Sequence, residues 1–231
     1  MRLATLQALN AARRDRHAAV LVVDTATGEE RLVAEGDALA DSLAEEIHRR
    51  LRSGRSGLLE DGRTFLAVHA PPPRLVVIGA VHISQALVPL AKLAGFDMTI
   101  VDPRTAFASP DRFPDVPLRA EWPEDALPQL RLDRYTAVAA LSHDPRIDDV
   151  SLAAALAAGC FYVGALGSRR THAGRRERLV ALGVSDSDLG RIHAPIGLDI
   201  GAQSPAEIAI AIVAEVIATL RRRDPPLRLS Q

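Results

Sequence analysis

The stretch Leu75-Val76-Val77-Ile78-Gly79-Ala80-Val81-His82-Ile83-Ser84 decides the fold. Four apolar residues run into Gly79, and a helical pattern of apolar residues follows the turn. A strand that enters a helix through a glycine turn is typical of the nucleotide-binding Rossmann fold, whose G-x-G-x-x-G turn approaches a pyrophosphate. Here the three glycine positions read Gly79, Val81 and Ser84. We therefore expect the turn to form, with the Val81 side chain obstructing a phosphate.

Beyond this stretch, apolar strands alternate with helices. The pattern predicts strands at residues 75–78, 98–101, 136–141 and 161–165, and helices at residues 83–94, 148–158, 169–182 and 205–222. Continuous apolar strands separated by helices predict a doubly wound, mostly parallel sheet covered on both faces, which is a Rossmann-like α/β fold. Three consecutive prolines, Pro71-Pro72-Pro73, exclude helix and central strand and predict a boundary there. The Rossmann-like domain is therefore predicted to cover residues 71–231.

A small α+β domain is predicted before the prolines, over residues 1–70. The pattern indicates helices at residues 3–14 and 38–52, strands at 18–23 and 30–33, and a hairpin of 57–60 with 64–69. The dipeptide Asp61-Gly62 is a favoured hairpin turn.

Composition narrows the class of partner and the compartment. A formal net charge of −1 argues against nucleic acid as the main partner. No apolar stretch reaches the ~20 residues that a membrane span needs, and no signal peptide is apparent. Cys160 is the only cysteine, so a single chain can form neither an internal disulfide nor a cysteine-based metal cluster. We expect a cytoplasmic protein whose Cys160 thiol is buried and inert.

A cofactor site is expected beyond the carboxyl ends of the strands, where open parallel sheets bind ligands. The candidates are Gly79 and His82 after the first strand, Asp102 after the second, His143 and Asp144 after the third, Gly164, Gly167, Ser168, Arg169 and Arg170 at the fourth, and Gly197 and Asp199 in a later loop. Asp102 lies 23 residues past Gly79, near the spacing of an acid that binds a ribose. Ser168 is predicted to cap a helix whose N–H groups form the preferred anion site. No residue is assigned a catalytic role, and no spacing resembles a zinc site.

Several of these residues also have a purely structural interpretation. His143 beside Asp144 could form an acid–base pair, but Asp-Pro after a strand is equally an ordinary way to begin a helix. His82 could simply occupy a helix start. Residues 164–168 could be no more than a tight turn between a strand and a helix.

Four segments resemble the XdhC/CoxI family: residues 76–82, 141–145, 162–179 and 191–210. Members of this family are accessory factors of xanthine dehydrogenase and of molybdenum-containing carbon monoxide dehydrogenase. The resemblance implies a chaperone that binds molybdenum cofactor (molybdopterin), assists its sulfuration and inserts it into an apo molybdenum hydroxylase, with a cysteine desulfurase as a further partner. This chain departs from the family at Val81, where Gly-Ala-Gly-His is usual, and it lacks the N-terminal Gly-Gly-Cys segments.

Two other functions remain open from the sequence. The same fold suits an NAD(P)-dependent oxidoreductase, although Val81 counts against a bound pyrophosphate. The other open function is that of a scaffold, which has lost its ligand and acts only through protein partners. The last predicted helix is apolar on nearly every side, which favours a second packing partner and hence a homodimer. The leading interpretation is a cofactor-binding chaperone without turnover of its own.

Overall fold

The computed structural model of the protein describes residues 1–221, apart from the side chain of Leu39. It divides into two compact units, Met1–Pro71 together with Arg221, and Pro72–Leu220. Arg222, where the last helix is predicted to end, lies outside the described residues.

The first unit is an antiparallel sheet with two helices. Its elements are α1 (Leu3–Arg14), β1 (Ala19–Asp24), β2 (Glu30–Ala34), α2 (Ala44–Ser53), β3 (Gly57–Leu58) and β4 (Thr64–His69). The strand order is β2-β1-β4-β3, and every pair is antiparallel. Leu9, Val20, Ile47 and Leu66 are buried, so both helices and the sheet contribute to its core. The α+β class predicted for this part of the chain is confirmed.

The single helix predicted over residues 38–52 is wrong. A 3-10 helix over Glu35–Ala40 precedes α2, and the backbone between them is extended at Asp41 (φ −83°, ψ 146°). The Asp41 carboxylate accepts the Leu43 N–H and forms an ion pair with Arg31 of β2. These side-chain contacts offer the backbone an alternative to the helix, and apolar periodicity does not reveal them.

The second unit is a six-stranded parallel sheet covered by helices. Its elements are β5 (Arg74–Ile78), α3 (His82–Leu93), β6 (Asp97–Val101), β7 (Leu118–Arg119), α4 (Pro123–Leu130), β8 (Thr136–Ala140), α5 (Pro145–Ala157), β9 (Tyr162–Ala165), α6 (Arg169–Ala181), α7 (Asp186–Leu189), β10 (Ile192–His193) and α8 (Pro205–Arg221). The order is β10-β9-β8-β5-β6-β7, and all pairs are parallel. This is the Rossmann order 3-2-1-4-5-6 read from β7, so the order reverses between β5 and β8. The predicted fold class is confirmed.

Strand β5 lies at the centre of this sheet and faces two apolar layers. Leu75 and Val77 belong to the layer formed with α3 and α8, whereas Val76 and Ile78 belong to the layer with α4, α5 and α6. Successive side chains of a strand point to opposite faces. The uninterrupted apolar run therefore reflects burial on both sides.

The elements that the sequence analysis did not assign are short. Strands β7 and β10 have two residues each, too few to show a periodicity, and α4 contains prolines at positions 123 and 128. Within residues 1–221, none of the helices combines the length and the hydrophobicity that a membrane span requires.

Candidate functional site

The switch point of the sheet lies where the carboxyl ends of β5 and β8 meet. Gly79 follows β5 with φ +110°, and a Cβ at this position would lie 2.8 Å from the backbone nitrogen of Ser142. The Leu141 N–H donates to the Ile78 carbonyl at 2.8 Å, which fixes the two strand ends side by side. Glycine is therefore required at position 79 both by its backbone conformation and by this close approach.

The start of α3 retains the features of an anion site. Ser84 is fully buried and its hydroxyl donates to the Gly79 carbonyl at 2.6 Å, so serine fills the third glycine position without preventing close packing. Val81, just before the helix, is half-buried and packs against the core. No side chain caps α3, and its first turn contains no acidic residue. Its first N–H groups thus lack the side-chain acceptor that many helices provide.

Asp102 directly follows β6, where a ribose-binding acid was expected, but it has no exposed surface. Its Oδ2 accepts the Ala80 N–H and Nη2 of Arg104, both at 2.7 Å, and its Oδ1 accepts Nε and the backbone N–H of Arg104, both at 2.9 Å. Burial raises the pKa of Asp102, but the hydrogen bonds of Arg104 outweigh it and hold the pKa below its ordinary value. The carboxylate is saturated, so we correct the expectation that it binds a ribose.

Arg104 is a cation at this edge that the sequence analysis missed. Its side chain is 32% exposed, and its guanidinium lies 4.7 Å from the centroid of the Phe107 ring. Because Asp102 Oδ2 binds both Arg104 and the Ala80 N–H, the guanidinium lies beside the start of α3. The available signal was an arginine two residues after the acid that follows the strand.

The loop after β8 is held by a buried carboxylate. The Ser142 hydroxyl donates to Asp148 Oδ1 at 2.7 Å, and the His143 N–H donates to Asp148 Oδ2 at 3.1 Å. Burial raises the pKa of Asp148. His143 is exposed and has φ +64°, a conformation that is uncommon for residues other than glycine.

Asp144 begins α5 rather than acting on His143. Its carboxylate accepts the Arg146 N–H at 3.0 Å and Nη2 of Arg146 at 2.7 Å. Among the described contacts, none joins the His143 ring to Asp144. The helix-start interpretation of Asp-Pro is thus confirmed, and the acid–base pair is not formed.

The turn after β9 leads into a second helix start without acidic residues. Ser168 caps α6 as predicted, its hydroxyl accepting the Thr171 N–H at 3.2 Å. Gly167 has φ +133°, and a Cβ there would lie 3.2 Å from the Thr171 side chain. Arg169 and Arg170 are exposed in the first turn. The positive end of the helix dipole and two arginine residues therefore share this turn.

A cavity of about 360 Å³ opens beyond β9 and β10, and we call it the β9–β10 cavity. It is lined by Leu166, Arg169, Pro195, Ile196, Gly197, Leu198, Asp199, Ile200, Gly201, Ala202, Ile208 and Ala211. Of the predicted site residues, the structure places Gly79, His82, His143 and Asp144 at the switch point, and Arg169, Gly197 and Asp199 around this cavity. Gly164 lies inside β9, where a Cβ would lie 2.6 Å from Ile196, and so it has a packing role.

Glu215 of α8 is a further residue that the sequence analysis missed. Its Oε2 accepts the Tyr162 hydroxyl at 2.6 Å and the Gly197 N–H at 2.8 Å, and its Oε1 lies 2.9 Å from Nδ1 of His193. Burial raises the pKa of Glu215, but hydrogen bonds from His193 and Tyr162 outweigh it and hold the pKa below its ordinary value. An isolated acid in an otherwise apolar stretch of α8 was the available signal.

Comparison with known proteins assigns the family. Residues 75–216 match the family described as the XdhC Rossmann domain, which is more than half of the 231 residues. The chain belongs to the XdhC family. The resemblance inferred from the four segments is thereby confirmed.

Three relatives show what this XdhC-family chain is similar to. The uncharacterized protein YqeB of Escherichia coli K12 is 35% identical over 157 residues, which are 66% of this chain and 28% of YqeB. A probable xanthine dehydrogenase subunit of Bacillus subtilis 168 is 31% identical over 159 residues, 68% of this chain and 46% of the relative. The molybdenum cofactor insertion chaperone PaoD of Escherichia coli K12 is 34% identical over 146 residues, 63% of this chain and 40% of PaoD. The chain thus spans less than half the length of each relative.

A solved structure supports the fold. The crystal structure of a xanthine dehydrogenase from Bacillus halodurans superposes with a TM-score of 0.67 at 24% identity, covering 97% of this chain and 66% of that one. At this level of sequence identity, the similarity shows a shared fold and no more.

Proposed function

We propose that this chain binds molybdenum cofactor at the carboxyl edge of its parallel sheet and helps to load it into a xanthine dehydrogenase-type hydroxylase. The observation that carries the proposal is the combination of helix starts and arginines at this edge. Two helices begin there without an acidic residue in the first turn, α3 beside Arg104 and α6 with Arg169 and Arg170. Another helix that begins there, α5, is already capped by Asp144. A phosphate-bearing ligand suits such an edge.

The residues present fit this cofactor. Molybdenum cofactor is a pterin that carries a phosphate and supplies a redox-active metal when bound, and in some forms it is extended by a nucleotide. Its phosphate would be held by N–H groups of a helix start together with Arg104 or Arg169. The exposed rings of His82 and His143 border the switch point and would contact the ligand beside its phosphate. Similarity to the insertion chaperone PaoD supports the same function.

The partners follow from this role. We propose that the chain delivers the cofactor to an apo hydroxylase after a cysteine desulfurase has supplied the terminal sulfur, and that it acts as a homodimer. Exposed apolar side chains on α8, Ile210 at 51% and Ile217 at 37%, support a protein contact on this helix. Light scattering of the purified protein tests the homodimer, and a monomeric mass at micromolar concentration would contradict it.

An NAD(P)-dependent oxidoreductase is the alternative that the strand order favours. The state of Asp102 counts against it, because a saturated and fully buried carboxylate cannot accept a ribose hydroxyl. A titration with NADH and NADPH, followed by nicotinamide fluorescence, separates the two functions. We expect no change, and tight binding of either nucleotide would contradict the chaperone.

Cofactor retention is the direct test. The protein is incubated without oxygen with molybdenum cofactor released from a molybdenum hydroxylase, then separated by gel filtration and assayed for molybdenum and for the fluorescent oxidised pterin. Both should elute with the protein; if neither does, the scaffold without a ligand is the better account.

A double variant locates the retained cofactor. Asp102→Asn with Arg104→Gln removes the cation beside α3 without leaving a buried charge unpaired. Asp24→Asn with Arg63→Gln is the matched control, because it neutralises an ion pair of 2.5 Å in the first unit. We expect retention to fall at least tenfold for the first variant and to stay unchanged for the second. Equal retention by both would remove Arg104 from the site.

A further inference from the structure

The β9–β10 cavity has a fixed shape. The Ile196 N–H donates to the Ala165 carbonyl at 3.2 Å, the Leu198 N–H to the Ala211 carbonyl at 3.2 Å, and the Gly197 N–H to Glu215 at 2.8 Å. The loop that forms one wall is therefore bonded to both β9 and α8. A binding surface held in this way loses little conformational entropy when a ligand enters.

The polar side chains that line the cavity are two charges of opposite sign, Arg169 and Asp199. Arg169 and Asp199 both line it, and among the described residues neither side chain has a hydrogen bond or an ion pair. They remain apart around a cavity whose other side chains are apolar. Opposite charges that share a cavity without pairing are suited to two different polar groups of one ligand.

Size and wall chemistry restrict that ligand. Ligand cavities commonly measure about 300–1,000 Å³, so 360 Å³ suits a single ring system rather than a whole dinucleotide. Leu198 and Ile200 are 39% and 54% exposed beside it, and a flat ring would cover such apolar surface. The Asp199 carboxylate can accept two parallel N–H groups from one edge of a ring, and the Arg169 guanidinium can donate to a ring oxygen or to a phosphate.

We propose that the β9–β10 cavity binds a flat bicyclic ring through an amino-pyrimidinone edge, with Asp199 accepting its N–H groups and Arg169 donating to its oxygen or phosphate. This edge is shared by pterins and guanine. The proposal rests on the proposed function and refines it, because the pterin of molybdenum cofactor is the ring expected here.

Two probes that differ at one ring position test the proposal. Pterin-6-carboxylate carries the amino group, and lumazine-6-carboxylate has an oxygen in its place. Both are titrated into the full chain and followed by their own fluorescence. Hydrogen bonds to a charged group contribute about 1.5–3 kcal/mol, so the wild type should prefer the pterin at least ~10-fold.

Asp199→Asn should weaken pterin binding by a similar factor and abolish the preference over lumazine, an effect that mere loosening of the loop would not produce. Asp186→Asn is the control, because that side chain is 93% exposed on α7 and does not line the cavity. Equal binding of both probes to the wild type, an unchanged preference in Asp199→Asn, or no binding of either probe would overturn the proposal.

Displacement of pterin-6-carboxylate by guanosine monophosphate at a concentration below the dissociation constant of the pterin probe would assign the cavity to guanine instead. Molybdenum retention is measured separately, so the two proposals can fail independently. Retention without ring preference rejects only the cavity assignment. Ring preference without retention rejects only the chaperone.

Discussion

Replacing Glu215 by alanine is expected to destabilise the protein by about 2–6 kcal/mol. The substitution removes the acceptor for the Tyr162 hydroxyl, in a side chain that is 1% exposed, and for the Gly197 N–H. Each buried donor left without a partner costs about 1–3 kcal/mol. The His193 side chain is 32% exposed and can hydrogen-bond to water instead, so no energetic cost is included for it. The free energy of unfolding of a whole domain is about 5–15 kcal/mol, so the variant should fold but unfold at a lower urea concentration than the wild type.

Urea unfolding followed by circular dichroism measures this loss. Glu215→Gln is the informative partner variant, because an amide oxygen can still accept from Tyr162 and Gly197, and it should lose about 1 kcal/mol. Glu207→Ala removes the residue that accepts the Gln203 and Ser204 N–H groups at the start of the same helix, and it should also lose about 1 kcal/mol. If Glu215→Ala loses no more unfolding free energy than Glu207→Ala, the hydrogen bonds of Glu215 do not stabilise the loop that contains Gly197.

The stabilisation by Glu215 should also depend on pH in a defined direction. Its pKa in the folded protein lies below the ordinary 4.5, so its contribution is complete above pH 4.5 and is lost as pH falls through the lowered value. The groups that face it are the Tyr162 hydroxyl, the His193 ring and the Gly197 N–H. The difference in unfolding free energy between wild type and Glu215→Gln should therefore shrink below pH 4.5. A difference that grows in acid would refute this reasoning.

Three further predictions concern the switch point and the thiol. Gly79→Ala should lower the free energy of unfolding, measured with urea, by about 2–5 kcal/mol. About 1–2 kcal/mol of this comes from the positive φ of residue 79, and about 1–3 kcal/mol comes from the contact of the new Cβ with Ser142. A loss below about 1 kcal/mol would show that the turn relaxes freely. Val81→Gly should not create NADH binding, measured by nicotinamide fluorescence, because Asp102 stays fully buried and hydrogen-bonded to Arg104. New binding would show that Val81 alone excludes the nucleotide. The thiol of Cys160, whose burial raises its pKa to about 12, should react with a disulfide reagent at about pH 8 only after urea unfolding, and rapid reaction of the folded protein would contradict its burial.

The parallel sheet could be predicted because its strands carry their own signal. Burial on both faces makes residues 75–78 of β5 and 137–140 of β8 uninterrupted apolar runs, and Asp144-Pro145 and Ser168 mark helix starts within a few residues. The break between the 3-10 helix and α2 could not be predicted, because it depends on Arg31 reaching Asp41 from a neighbouring strand. The two-residue strands β7 and β10 exist only through their pairing with β6 and β9.

The candidate site was predicted as a set of positions but not as a set of roles. The sequence placed Asp102, His143 and Asp199 at one edge, since carboxyl ends of parallel strands meet there. It could not show that Asp102 is saturated by Arg104, that the turn at Gly79 still leaves α3 without a cap, or that Glu215 holds the cavity loop.

The sequence by itself thus determined the alternation of strands and helices, the glycine turn and the family, because these depend on local patterns of apolar and small residues. Only the tertiary structure decided which polar groups are hydrogen-bonded within the protein and which remain available to a ligand. Arg104 and the distant Ala80 N–H satisfy Asp102, and groups distant along the chain satisfy Glu215. Arg169 and Asp199 remain around a cavity that no local pattern defines.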